Sequence, residues 1–201
     1  MLEEAKNRTW PKASIEELQQ RVAGIQLTPA VPEHVQRVFR TAKDLYICGY
    51  FKYHLFTVSQ HYAYLALESA IKHRYVKSLS NRAVIVNKEG ETHIIENPTY
   101  ERIWKFCKDN KKRWNFNRIT VNGESFPHNG KLLLTWLVEK GIITKWEQHF
   151  YDAGLFLRNT LSHLEFAPIH VPNSRILERV AEQINKLFLD KLINLLNREY
   201  R

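Results

Sequence analysis

Between residues 176 and 196, Ile176, Leu177, Val180, Ile184, Leu187, Phe188, Leu192, Leu195 and Leu196 recur at intervals of one, three and four. On a helix that spacing gathers them all on one side, leaving the opposite side to charged and amide residues. A single helix of this kind is marginal in water, and its broad apolar face has to be covered by other elements. The stripe therefore demands a multi-helix core.

The same period appears elsewhere. Val35, Val38, Phe39, Ala42, Leu45 and Tyr46 form a stripe that begins after Pro32 and ends near Gly49. A longer helix is expected from about residue 53 to 78, with Leu55, Val58, Tyr62, Leu65, Ile71 and Tyr75 apolar and Glu68–Lys72 as an i,i+4 pair. Leu132, Leu133, Trp136 and Leu137 mark a helix that stops at Gly141, placed to be its C′ residue. Thr144-Lys145-Trp146-Glu147 has the capping-box pattern. It opens a helix whose buried face is expected to be Phe150, Ala153, Leu157, Leu161 and Leu164. Ser14-Ile15-Glu16-Glu17 is a second capping box and heads a short N-terminal helix.

Residues 81–130 break the pattern. Ala83–Val86 and Thr92–Ile95 are β-prone and flank Lys88-Glu89-Gly90, which predicts a hairpin, and Asn122-Gly123 predicts a second turn. Asn97-Pro98 opens another helix. The expected architecture is all-α, an up-down bundle of four to five helices with a small β-containing insertion. Residues 1–32 are an N-terminal extension with a short helix, 33–201 the helical domain, and 81–130 the insertion within it.

Lysine and arginine outnumber aspartate and glutamate by 30 to 21, a formal charge of +9. That excess favours a polyanionic partner, nucleic acid before membrane surface. Cys48 and Cys107 are far apart and share no metal-ligand spacing, so they read as reduced, core-filling thiols. Met1–Lys6 lacks the basic-then-apolar start of a secretion signal. No apolar run approaches the roughly 18 residues needed to span a bilayer. The expectation is a cytoplasmic protein without membrane association.

Near the end of the predicted 144–164 helix stands Arg158-Asn159-Thr160-Leu161-Ser162-His163. A guanidinium to hold a phosphate, an amide to orient the base and an imidazole to move a proton are the groups a metal-independent ribonuclease needs. On a helix Asn159 and His163 share a face, while Arg158 lies about 140° round from His163, a gap that its long side chain can partly close.

This RN-x3-H run resembles the signature of the HEPN superfamily (higher eukaryotes and prokaryotes nucleotide-binding domain). The segments His61–Lys72 and Leu132–Ile143 are also similar to helices of that family, in the same order. The resemblance covers roughly residues 33–200. It implies a homodimer with the two motif helices facing each other across a composite cleft, and RNA cleavage without metal or other cofactor. His163 would act as general base or acid, Arg158 would bind the scissile phosphate, and Asn159 would position His163 or the substrate. The products would be a 2′,3′-cyclic phosphate and a 5′-hydroxyl. The family also implies a toxin–antitoxin or phage-defence setting, with an antitoxin or regulatory protein as a partner. In one toxin branch a tyrosine two residues after the histidine is modified by the antitoxin; here that position is Glu165. Glu165 and Glu68 are accessory candidates for the cleft. The competing expectation is a HEPN-like dimer that binds RNA, a nucleotide or a protein without cutting.

Lys105, Lys108, Lys111, Lys112, Arg113 and Arg118 alternate with Trp104, Trp114 and Phe116. Cationic heads among aromatic faces suit single-stranded RNA, with Lys108, Lys111, Lys112, Arg113 and Trp114 as the expected contacts. His54, His61 and His73 have no carboxylate arranged to complete a metal site. Phosphate-binding glycine loops and a G-x-S-x-G elbow are missing, which leaves kinase, NTPase and serine-hydrolase readings without support.

Overall fold

The structure is a computed structural model that describes residues 13–163 and 173–189, with the side chains of 161–163 left out. The chain divides into two compact units, Met1–Leu67 with Gly154–Arg201, and Glu68–Ala153. Among the described residues there are seven α-helices and one four-stranded antiparallel sheet. No described helix is long and apolar enough to cross a membrane.

The first unit begins with α1 (Ile15–Ala23), started by the expected capping box. Ser14 Oγ accepts from Glu17 N–H, and the Glu17 carboxylate accepts from Ser14 N–H, each at 3.2 Å. α2 (Glu33–Cys48) follows Pro32, which sits at the N-cap, one residue earlier than the favoured first-turn position. The N-terminal part of α3 (His54–Ser78) and α7 (Arg175–Leu187) complete this unit's regular structure, with the end of α6 described below. Its core holds Leu18, Val22, Val35, Phe39, Ala42, Tyr46, Leu67, Leu177, Val180, Ile184 and Leu187, all nearly solvent-free. Leu18 and Val22 of α1 thus belong to that core.

Polar contacts tie these helices down. The buried Ser59 hydroxyl donates to Ala42 O on α2 at 2.7 Å, which removes an otherwise unsatisfied donor. Asn185 on α7 clamps the loop after α1, accepting from Thr28 N–H at 2.8 Å and donating to Gln26 O at 3.0 Å. Of the expected C-terminal stripe, Leu177 through Phe188 are buried with Ile176 half-buried, and Leu192, Leu195 and Leu196 lie outside the described residues.

The second unit contains the sheet, ordered β2-β1-β3-β4. β1 (Arg82–Val86) pairs with β2 (Thr92–Glu96) in the register Arg82–Glu96 to Val86–Thr92. It pairs on its other edge with β3 (Thr120–Val121), which turns into β4 (Glu124–Ser125). The two turns predicted separately therefore belong to one sheet. Asn122 (φ 49°) and Gly123 (φ 84°) both adopt left-handed backbone, as a type I′ hairpin requires. The Asn122 side chain also pins the turn to β1, accepting from Val84 N–H at 2.7 Å.

α4 (Tyr100–Asp109) is capped by Thr99, whose hydroxyl accepts from Arg102 N–H. α5 (Gly130–Glu139) ends in a Schellman motif in which Ile142 N–H reaches Leu137 O and Gly141 N–H reaches Val138 O, with Gly141 at φ 65°. Between the sheet and these helices lies an aromatic core. Tyr75 meets Trp136 edge-on at 5.2 Å and Tyr100 edge-on at 6.3 Å, and Tyr100 OH donates to Pro127 O. Burial pushes the phenols of Tyr75 and Tyr100 above their ordinary range.

The expected 81–130 insertion thus has wider boundaries. It folds together with the C-terminal part of α3, with α5 and with the start of α6 (Lys145–His163) as one unit. The short β3–β4 hairpin has too little apolar surface to stand alone, and these flanking helical segments supply its core.

Candidate functional site

α6 is launched by the predicted capping box. Thr144 Oγ1 accepts from Glu147 N–H at 3.2 Å, and the Glu147 carboxylate accepts from both Thr144 N–H and its hydroxyl at 2.8 Å. These contacts satisfy N-terminal amides that a helix otherwise leaves open.

The face that α6 buries differs from the expected one. Tyr151 and Gly154 are buried, and Glu147 and Arg158 on the same stripe are half-buried. By contrast Phe150 is 46% exposed, Ala153 is exposed, and Leu157 is half-buried. Leu161 and Leu164 lie outside the residues whose side chains are described. The physical reason lies at Gly154: a Cβ there would stand 3.2 Å from the Tyr64 ring and 3.3 Å from Leu67 Cδ2. Lacking a side chain, Gly154 lets α6 approach α3 more closely than an apolar side chain would, and that contact sets the rotation of the helix. Burial raises the Tyr64 phenol, an effect that the Arg179 guanidinium partly offsets. Burial also keeps the Tyr151 phenol well above its ordinary range.

The displaced stripe leaves an apolar surface. Trp146 is 70% and Phe156 68% exposed, and Trp146 meets Phe150 edge-on at 4.6 Å. Asn159 is exposed as well, but nine residues on from Phe150 it lies about half a turn round the helix from that ring. Position 163 falls one turn beyond Asn159 on that side of the helix.

Arg158 starts from the inner stripe, and its Nε is buried. Nη1 donates to Asn159 Oδ1 at 2.6 Å. The contact draws the cation round the helix toward the Asn159 side and fixes the amide with its oxygen facing the arginine, leaving the amide N–H2 as donor. The structure thus brings two of the three motif side chains together. The third, His163, is placed only by its backbone in α6, and Glu165 lies outside the described residues.

Glu68 belongs to the second unit, apart from Arg158 and Asn159, which lie in the first. It pairs with Lys72 at 3.0 Å as the i,i+4 spacing predicts, and Lys72 also lies over the Tyr100 ring. That geometry is what an ion pair on a helix flank requires.

The basic segment of the second unit is sorted by its contacts. Lys108, Lys111 and Lys112 are exposed. Arg113 is exposed but bound to the Glu91 carboxylate, which holds Glu91 below the usual carboxylate range. Trp114 is buried, with Phe106 edge-on at 5.1 Å and His93 at 6.2 Å. It is a packing residue with no open face for a base. Trp104, Phe106 and Phe116 are half-exposed, Phe106 being stacked on His93 at 3.9 Å, and His128, a residue that sequence reasoning missed, lies beside Phe116. The i,i+4 spacing of Trp104 and Lys108 on an amphipathic helix was the available signal.

Among the described residues no three histidine, cysteine, aspartate or glutamate side chains converge as metal ligands. No protein-family model, no curated protein and no solved structure matches this chain.

Proposed function

We propose that this protein is a metal-independent endoribonuclease of the HEPN type, acting as a homodimer through α6. The observation that carries the reading is the Arg158–Asn159 hydrogen bond at 2.6 Å. It presents a guanidinium and an amide together on the helix that bears RN-x3-H. A guanidinium can bind a phosphate and stabilise the charge that develops in the transition state.

In this reading His163 takes the proton from the ribose 2′-hydroxyl, or returns one to the leaving 5′-oxygen. Two copies facing each other would supply one base and one acid. The 2′-oxygen attacks phosphorus, the P–O5′ bond breaks, and the products end in a 2′,3′-cyclic phosphate and a 5′-hydroxyl. The exposed large apolar side chains of α6, Trp146, Phe150 and Phe156, support the dimer, because such side chains gain from being covered by a partner. The chain's +9 charge supports RNA as the substrate, Lys108, Lys111 and Lys112 being free to meet its phosphates. An antitoxin or other regulatory protein in a cytoplasmic defence system is the partner that this activity implies. Glu68 and Glu165 remain accessory residues of the proposal; the Glu68–Lys72 pair supports only a supporting role for the former.

The test is cleavage of end-labelled single-stranded RNA and tRNA in excess EDTA by the wild type, Arg158→Ala and His163→Ala. Cleavage by the wild type alone, leaving cyclic phosphate ends, is the expected result. Equal cutting by all three proteins would sink the site, and salt-dependent binding with no cutting by any of them would leave a binding module.

A further inference from the structure

The second unit carries a row of three half-exposed rings at the margin of its core, the middle one, Phe116, resting on the buried Phe126 at 6.3 Å. Trp104 and Phe116 lie 5.7 Å apart with their planes 30° from parallel, and Phe116 and His128 lie 5.2 Å apart at 26°. Rings that the fold leaves half covered keep part of their π-surface open to something flat.

Charge is concentrated in the same place. Residues 100–118 hold seven lysines and arginines against Glu101 and Asp109, which accounts for a net five of the chain's nine positive charges. Lys108 Nζ sits 4.9 Å above the Trp104 ring. An exposed lysine reaches a ring face only if that face is open to solvent, so the contact marks Trp104 as accessible. Lys105 and Arg118 are exposed beside Trp104 and Phe116 in sequence. Arg113, being tied to Glu91, is committed to holding the β1–β2 turn.

We propose that Trp104, Phe116 and His128 are a stacking platform for single-stranded RNA, with Lys105, Lys108 and Arg118 meeting its phosphates. Planar bases need exposed π-faces, and a flexible polyanion needs cations spaced along them; this row offers both. A duplex hides its base faces, so the platform selects unpaired strands. Little base preference follows, since every base has a π-face and no side chain of the row is set to read an edge. The choice of RNA over DNA rests on the nuclease reading above; the stacking itself does not.

The experiment is fluorescence anisotropy of the full chain carrying His163→Ala, which keeps the strand intact, with a labelled oligouridine of about a dozen nucleotides. The same sequence as deoxyribose and as an RNA duplex are the comparison arms. The expected result is binding of the single strands, weak or no binding of the duplex, and about tenfold weaker binding for Trp104→Leu and for Phe116→Leu. Trp104→Phe should restore most of the affinity, and Lys108→Gln should flatten the salt dependence by about 0.7 in log–log slope. Thermal melts of each variant separate lost binding from lost folding. Unchanged affinity in folded Trp104→Leu and Phe116→Leu overturns the platform, as does equal binding of the duplex. The two readings fail separately. Wild-type cleavage with unchanged binding in the Trp104 and Phe116 variants removes only the platform. Ring-dependent binding without cleavage by the wild type removes only the nuclease.

Discussion

Arg158 Nη1 donates to Asn159 Oδ1 across 2.6 Å, so two neighbours on a helix that begin about 100° apart end with their polar groups in contact. The bond has a consequence for kinetics. If the guanidinium stabilises the transition state, Arg158→Ala lowers kcat by about 10²–10³, the range for losing one preorganised donor. Arg158→Lys keeps the charge but loses the planar fork, and recovers little of that loss. Asn159→Ala leaves the cation in place but unaimed, and costs about tenfold in kcat with little change in KM. Single-turnover cleavage under saturating RNA measures all three, and equal rates for wild type and Arg158→Ala exclude the role.

Two glycines are held by steric need and differ in degree. A Cβ on Gly49 would lie 2.6 Å from two carbons of the buried Phe56 ring, although the Gly49 backbone (φ −55°) suits any residue. Gly49→Ala is therefore expected to cost about 2 kcal/mol through overpacking alone. At Gly154 the clash is milder, at 3.2–3.3 Å, and is offset by roughly 1 kcal/mol of helix propensity, so Gly154→Ala is expected to lie within about 1 kcal/mol of wild type. Urea unfolding of both variants checks the order; a Gly49→Ala protein as stable as wild type contradicts the packing.

The two thiols should separate cleanly. Cys48 is exposed, while Cys107 is buried in α4 and its thiol is pushed up to about 11 by that burial. A disulfide-exchange reagent at pH 8 is expected to titrate one thiol in the native protein and two in denaturant. The sign of the pH effect follows. The unfolded chain releases the Cys107 proton first, so this group's contribution to stability is intact below about pH 9 and is lost as pH rises toward 11. Cys107→Ala should lessen the fall in stability across that window.

What was legible in the sequence was local chemistry. The Thr144–Glu147 box, the Asn122-Gly123 turn and the Gly141 helix end each depend on a few adjacent residues, and each formed where the residues put it. The rotation of α6 was not legible, because the helix carries two candidate stripes and apolar content favours Phe150, Ala153 and Leu157. The choice went to Tyr151 and Gly154 through a close approach to Tyr64, a residue far away in the chain. Trp114 was misplaced for a similar reason. Its basic neighbours suggested a surface residue, whereas the ring is covered by Phe106 and His93. At the candidate site, the contact between adjacent Arg158 and Asn159 was within reach of sequence reasoning. The burial of Arg158 Nε was not, since it depends on a side-chain rotamer.

The exposed rings of α6 supply the last prediction. Trp146, Phe150 and Phe156 are large apolar side chains left 70%, 46% and 68% exposed on one helix. Trp146 and Phe156 can cover most of their surface only against a partner, and burying one such side chain is worth about 1.5–3 kcal/mol. Two of them from each of two copies, with the open part of Phe150, can offset the entropic cost of association when the surface pairs with itself. Light scattering of the purified chain is therefore expected to give a dimer. Phe150→Glu, which introduces a charge beside the exposed Trp146 ring, should give a folded monomer. In the nuclease reading the composite cleft is lost with the dimer. Phe150→Glu should then abolish cleavage while retaining both Arg158 and His163, and dilution of the wild type should lower its specific activity in step with dissociation. A wild type that is monomeric at every concentration and still cleaves would show that the site works within one chain, and the exposed rings would then have no part in catalysis.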